Sequence, residues 1–391
     1  MSEVVIVKAV RSPLGKRNGE LAAIHPVDLL GKVQNELFQR TGLDPKLVGQ
    51  VIGGCVGQVG MQTMNVTRNA WLAAGLPLEV AATTVDTQCG SSQQATNLAY
   101  ALIKAGMVDI AVGCGVEAMS QIPMGATIPK KPAVGVPVNK NYWQHYEWTS
   151  QFEGADRIAK QWNISREDTD AFGKQSQDRA AAAWAAGHFD SQIVAIDAPI
   201  GFQDEKPSES THRVTRDGGL RNSTLEALAG LKLNQEGGVH TAATSSQISD
   251  GAAAVLMMTR ERAGELGLPV KATLVDSCLV GSDPVLMLTG PIFATQKLLK
   301  DNELQIGDID VTEINEAFAS VVLAWEKELK PDMATVNPNG GAIALGHPLG
   351  GTGAVLLTKA VYELERADKE HAIVTMCCGG GLGTGTLLRR G

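Results

Sequence analysis

AATTVDTQCGSSQQATNLAYALIKAG, residues 81–106, is the stretch that decides the fold. AATTVDT (81–87) reads as a strand. It runs into a helix over CGSSQQATNLAYALIKAG (89–106), which ends on Gly106. DIAVGCGV (109–116) follows as another strand, so the order is strand, helix, strand. Upstream, VVIV (4–7) reads as a buried strand and VIGGCV (51–56) as a further one. Between them HPVDLLGKVQNELFQRTG (25–42) places Leu29, Val33 and Leu37 at i, i+4 and i+8 of a helix, with Pro26 near its start and Gly42 at its end.

The same order returns later in the chain. KATLVDSCLV (271–280) reads as a strand, PIFATQKLLKDN (291–302) as a helix, and DVTEINEAF (310–318) as a strand entering a helix. ATVNPNGGA (334–342), a helix around 350–367 and the strand AIVTMCC (372–378) complete the second series. Residue identity between the halves is slight, so the repeat is one of topology. Short β-branched runs alternating with helices predict an α/β fold with a mainly parallel sheet covered on both faces. Residues 117–245 interrupt the rhythm and hold ten of the 17 aromatics. IPMGATIPKKPAVGVPVNKN (122–141) reads as loop, and a long helix is expected with Ser165 as N-cap and Asp168 three residues on. An irregular insertion of this kind in a regular scaffold is more often functional than decorative.

At 391 residues the chain is long enough for two or three domains. Its 43 glycines exceed the usual share of about 7%, but 16 prolines and no short period exclude collagen-like and low-complexity classes. Apolar residues at 44% and charged residues at 19% mark an ordinary folded chain. A net charge of −8 argues against nucleic-acid binding, while leaving room for an anionic ligand bound locally. The six cysteines (55, 89, 114, 278, 377, 378) form no CxxC pair, so disulfide and zinc frameworks are not expected and no metal is assigned. MSEVVIVKAVRSP lacks the features of a secretory signal, and no window approaches 18 uncharged apolar residues. The expectation is a protein of a reducing compartment, cytoplasmic and without a membrane partner.

Four places could carry chemistry. Cys89 stands at a strand-to-helix turn, where unpaired N–H groups favour a thiolate and can receive an oxyanion; a free cysteine is also a common core residue. His347, between Gly346 and Pro348, is presented by a tight backbone, although a lone histidine is more often structural. Cys377 and Cys378 end a strand and enter GGGLGTG (379–385). That run is no dinucleotide fingerprint, because no helix and no ribose-binding acid follow it; it suits a backbone brought close to a reacting group. NEAF (315–318) puts two polar residues at the end of an apolar strand, either to orient a group such as a water or to cap the next helix.

Taken in order, Cys89 with CGSSQQA, NEAF, GHP and the terminal C-x-GGG-x-G resemble the thiolase family, as do RSPLGKRNG (11–19) and SSQISDGAAAV (245–255). The resemblance covers essentially the whole chain. It implies the thiolase fold: two repeated βαβαβαββ halves in a five-layer α/β/α/β/α sandwich plus a loop domain. Residues 1–116 would be the N-terminal half, completed by about 246–268; 117–245 the loop domain for CoA and substrate; 269–391 the C-terminal half. It implies thiolytic cleavage of a 3-ketoacyl-CoA to acetyl-CoA or propionyl-CoA and a shortened acyl-CoA, reversible as a Claisen condensation. Coenzyme A is then a substrate and no cofactor is permanently bound; acyl-CoA and CoA are the partners, in a homodimer or homotetramer.

By the same resemblance Cys89 is the acyl-accepting nucleophile, His347 its base, and Cys377 the acid that protonates the departing carbanion and later activates CoA. Asn315 would hold a water in one oxyanion hole, and the N–H groups of Cys89 and Gly379 would form the other. Ala242, Ser246, Ala317 and Phe318 match pantetheine-contacting positions, Met287 the acyl site, and Arg221 the residue near adenine and phosphates. Cys378 reads as packing. The HMG motif of short-chain enzymes is missing from WTSQFEGADRIAKQW (148–162), and Leu288 replaces a usual glycine. Both departures argue against strict acetoacetyl-CoA specificity, and WTSQFEGADRIA and SSQISDGAAAVL resemble degradative thiolases accepting bulky, including steroid, acyl chains. The alternatives are a short-chain acetoacetyl-CoA thiolase run in the biosynthetic direction and a non-catalytic acyl-CoA- or lipid-binding relative. A ketoacyl synthase would carry a histidine where Cys377 stands.

Overall fold

The computed structural model describes residues 3–128 and 135–391. Part of the proline-rich run 122–141 and the first two residues lie outside the described residues.

The first half runs β1 (Val4–Arg11), α1 (Pro26–Thr41), β2 (Gln50–Gly54), α2 (Val66–Ala73), β3 (Ala81–Val85), α3 (Ser91–Lys104) and β4 (Ile110–Ala118). After an insertion holding α4 (Gln151–Gln161) and α5 (Arg166–Ala185), β5 (Ser249–Thr259) closes it. The second half follows as β6 (Ala272–Gly281), α6 (Gly290–Asp301), β7 (Val311–Ile314), α7 (Ala319–Leu329), α8 (Thr352–Arg366), β8 (His371–Cys378) and β9 (Leu382–Arg390).

Strand order is β3-β2-β4-β5-β1 in one half and β7-β8-β9-β6 in the other. Val336 bridges Thr312 of β7 in parallel, in the place that β3 holds beside β2. Both halves therefore run 3-2-4-5-1, with strand 5 antiparallel to strands 4 and 1. A short antiparallel pairing of Val4–Ile6 with Ala272–Leu274 joins the two into one sheet. The topological repeat expected from the sequence is present.

Side-chain alternation explains the layering. On β5, Ala253, Val255 and Met257 enter one buried cluster, while Ala252, Ala254, Leu256 and Met258 enter another. On β1 a bulge between Ile6 and Lys8 shifts the alternation by one: Val4, Ile6 and Ala9 face one way, Val5, Val7 and Val10 the other. The inner cluster takes in α3 and α8 together with Ala372, Val374 and Met376 of β8, so these two helices are the middle layer between the halves. α1 and α2 cover the outside of the first half, around Trp71 against Phe38. α6 and α7 cover the outside of the second. Two strand layers between three helix layers result, each strand face burying its own apolar row.

α5 begins at Ser165, whose Oγ accepts from the Asp168 N–H while the Asp168 carboxylate accepts from the Ser165 N–H, a complete capping box. The Arg11 guanidinium, fully buried on β1, makes a bidentate pair with Asp217 at 2.8 and 3.0 Å and so ties the insertion to the scaffold. Among the described residues no helix is long and apolar enough to cross a membrane.

Candidate active site

β3 hands the chain to α3 through a turn in which Gln88 is left-handed at φ 50° and Gly90 is the N-cap. Cys89 sits between them, buried, with the Gly379 backbone packed against the adjoining Gln88 side chain. Burial pushes the thiol up to about 11, outweighing the lowering effect of the Gly379 and Cys89 N–H groups. The thiolate expected from a helix terminus is therefore overruled by desolvation: Cys89 rests as a thiol. Gly90 leaves no room for a side chain, since a Cβ there would lie 2.5 Å from Cys378 Sγ.

Cys378 is fully buried in the inner cluster, whereas Cys377, the next residue on β8, points to the opposite face. There it joins Ala155, Ile158, Leu288, Ala317 and Phe318, with Met287 packed alongside. Burial raises the Cys377 thiol well above its ordinary range, and the Cys89 sulfur nearby raises it further.

His347 follows Gly346, whose φ of 124° is open only to glycine among ordinary residues. Its N–H donates to Ser249 Oγ at 3.0 Å. Thr352 Oγ1 donates to Pro348 O at 3.1 Å, so it accepts from His347 Nδ1 at 2.6 Å and leaves Nε2 bare. Asn315 Nδ2 lies 3.4 Å from that Nε2. Asn315 Oδ1 is buried without a protein partner, an acceptor open to a water or a substrate donor. With no ionic partner, burial lowers the imidazole to about 4, so it rests neutral and able to take a proton.

A cleft of about 460 Å³ leads from His347 to the surface. Arg221, Ala242, Ser246, Ala317, Phe318 and His347 all line it. Met287 does not; it stands at φ 63° in the Cys377 cluster. Phe152 lines the cleft and packs edge-on against Phe318 at 5.4 Å. Lys16 and Arg17 join Arg221 in the lining, and no carboxylate does. In a chain of net charge −8 this is a local anion-attracting field over an apolar throat. A larger surface groove of about 770 Å³ between α5 and α7 touches none of these residues.

NEAF serves neither alternative in full. The N-cap of α7 is Phe318, so Asn315 and Glu316 do not cap it. Asn315 faces His347, whereas Glu316 turns away to Ser176, Asn337 and the Ile343 N–H. Sequence reasoning also passed over Thr352, Ser249 and Glu117. Glu117 is a buried carboxylate closing the apolar strand β4, and a charge within an uncharged strand was the available signal. Lys16 and Arg17 carried no local signal, because paired surface cations are ordinary.

Comparison with known proteins gives the family and the fold. The thiolase N-terminal domain matches residues 4–261 and the thiolase C-terminal domain residues 268–390. The chain belongs to the thiolase family, and its fold is the thiolase fold. It is an acyltransferase. A steroid 3-ketoacyl-CoA thiolase of Mycobacterium tuberculosis is 46% identical, aligned over 100% of this chain and 95% of that protein. A beta-ketoadipyl-CoA thiolase of Acinetobacter baylyi is 39% identical over the full length of both. The crystal structure of Bacillus anthracis acetyl-CoA acetyltransferase superposes with a TM-score of 0.90 at 36% identity, covering 100% of this chain and 99% of that one.

Proposed function

We propose that this thiolase cleaves 3-ketoacyl-CoA thioesters with CoA through an acyl group carried on Cys89. The reading rests on one observation above others: His347, with Nδ1 on Thr352 and Nε2 left 3.4 Å from Asn315 Nδ2, opens into a cleft lined by Lys16, Arg17 and Arg221. His347 Nε2 takes the Cys89 proton as the sulfur attacks the 3-keto carbon. The oxyanion formed there is received by the N–H groups of Cys89 and Gly379; losing one such donor typically costs about 10²–10³ in rate. The C2–C3 bond then breaks and its electron pair moves into the thioester enolate, held by His347 and the water on Asn315. Cys377 gives its proton to C2, releasing acetyl-CoA or, from a 2-methyl substrate, propionyl-CoA. The Cys377 thiolate next takes the proton of incoming CoA, whose sulfur attacks the acyl carbon and frees the Cys89 thiolate, which recovers a proton from His347. Every step reverses, so Claisen condensation is open to the same site.

CoA lies along the cleft, its phosphates toward Arg221 and its pantetheine against Ala242, Ser246, Ala317 and Phe318, with Met287 beside the acyl group. Residues 117–245 act as the loop domain between the two halves. The preferred substrates carry acyl groups bulkier than acetoacetyl, which the apolar wall of Phe152 against Phe318 and the missing HMG histidine of residues 148–162 support. CoA enters and leaves as a substrate. The chain works as a homodimer or homotetramer, for which the partly exposed edge strand Ala81–Val85 is suited. It works in the cytoplasm, where its six free thiols stay reduced.

Incubation with a 3-ketoacyl-CoA in the absence of CoA is expected to leave an acyl adduct visible by intact mass, absent in Cys89→Ala. No adduct at any chain length, or an adduct that survives Cys89→Ala, overturns the mechanism. Thiolysis confined to acetoacetyl-CoA overturns the bulky-chain assignment alone.

A further inference from the structure

Two buried carboxylates flank the loop that presents His347, and among the described residues neither has a cationic partner within hydrogen-bond distance. On one side Glu316 accepts from the Ile343 N–H at 3.1 Å, from Asn337 Nδ2 at 2.9 Å and from Ser176 Oγ at 2.6 Å. Ser176 Oγ in turn accepts from the Gly341 N–H, so α5 and the loop start are held together. On the other side Glu117 accepts from the Gly350 N–H at 2.9 Å, three residues after His347 and two before Thr352, which orients the imidazole. It also accepts from the N–H groups of Val56 and Gly57 at 2.9 Å, from Gln62 Nε2 at 2.7 Å and from the Cys55 thiol.

Isolated charges are costly to bury unless hydrogen bonds compensate. Each carboxylate here accepts one backbone N–H of the His347 loop, Glu316 from Ile343 and Glu117 from Gly350. Glu117 further stands where the Cys55–Gly57 turn and Gly350 meet, and Gly350 O packs on Gly115 beside Ser92 in the first turn of α3, the helix that presents Cys89. We propose that Glu117 and Glu316 are positioning residues that stake the His347 loop from its two sides.

The inference rests on the thiolase reading for its turnover arm but not for its chemical one. Carbethoxylation of His347 by diethyl pyrocarbonate, followed by peptide mass, needs no thioester. Glu117→Asp withdraws the carboxylate from Gly350, and Glu316→Gln weakens the hold on Ile343. Each is expected to lower kcat by about 10²-fold with KM within about twofold. Each should also change the rate of His347 carbethoxylation several-fold, and either variant decides the matter if the other does not fold. Turnover within about twofold of the wild type together with an unchanged carbethoxylation rate overturns the positioning role. Failure of the wild type to form an acyl adduct would instead count against the thiolysis reading and leave the carbethoxylation result standing.

Discussion

At the residue scale, the protonation of the reacting pair follows from burial more than from helix geometry. A Cys89 thiol at about 11 and a His347 imidazole at about 4 are both uncharged at pH 7; in the proposed mechanism the proton moves only when a substrate carbonyl is in place to accept the developing charge. The acid limb of kcat/KM is therefore expected to lie near pH 4 and not near 6.5; a half-point at the ordinary histidine value in a pH–rate profile would show His347 to be solvated. Stability carries the same signature. The unfolded chain takes up a proton at this histidine near pH 6.5, the folded one only near 4, so stability falls as pH drops through that window. His347→Asn should flatten that part of a thermal-unfolding titration. Asn315→Ala, which removes the amide beside Nε2, is expected to cost about 10²–10³ in kcat, readable in steady-state thiolysis.

Elements were legible where local chemistry punctuates them. α1 runs Pro26–Thr41 between His25 and a left-handed Gly42, and α5 follows its Ser165–Asp168 box, both as the sequence predicts. Ser165→Ala should cost about 1 kcal/mol in urea unfolding and leave kcat unchanged, because the cap lies about three turns of α5 away from Ser176. The start of α7 was not legible: nothing in NEAF distinguishes a cap from a pair of inward-facing groups until Thr244 O is seen accepting from the Ala319 N–H. α3 is the element on which the site depends most. Gly90→Ala would drive a methyl against Cys378, and overpacking of this kind costs about 1–3 kcal/mol; loss of the Cys89 acyl adduct should accompany the lowered urea midpoint.

For the whole molecule, the repeated 3-2-4-5-1 sheets put α3, which follows Cys89, and α8, which follows the His347 loop, side by side in the middle layer. The insertion is anchored to the scaffold elsewhere. Arg11 and Asp217 form a wholly buried pair to which Gln192, Trp184 and the Leu14 N–H add hydrogen bonds. Asp217→Ala strands the guanidinium and should destabilise the fold by about 3–5 kcal/mol, measured by chemical denaturation. A loss below about 1 kcal/mol would mean that water reaches Arg11.

By itself the sequence determined the alternation of strands and helices, their repetition, the glycine-framed cysteines and histidine, and through their order the family. These are local patterns or linear spacings, and burial on one face is enough to write them into a chain. Only the tertiary structure decided the rest: that Cys377 and Cys378 point to opposite faces, that Met287 stands outside the cleft, that Cys89 is a thiol, and that Glu117 and Glu316 hold the histidine loop. Those facts depend on desolvation and on hydrogen bonds between residues as far apart as Glu117 and Gly350, and no local pattern records which distant N–H group a buried carboxylate will meet.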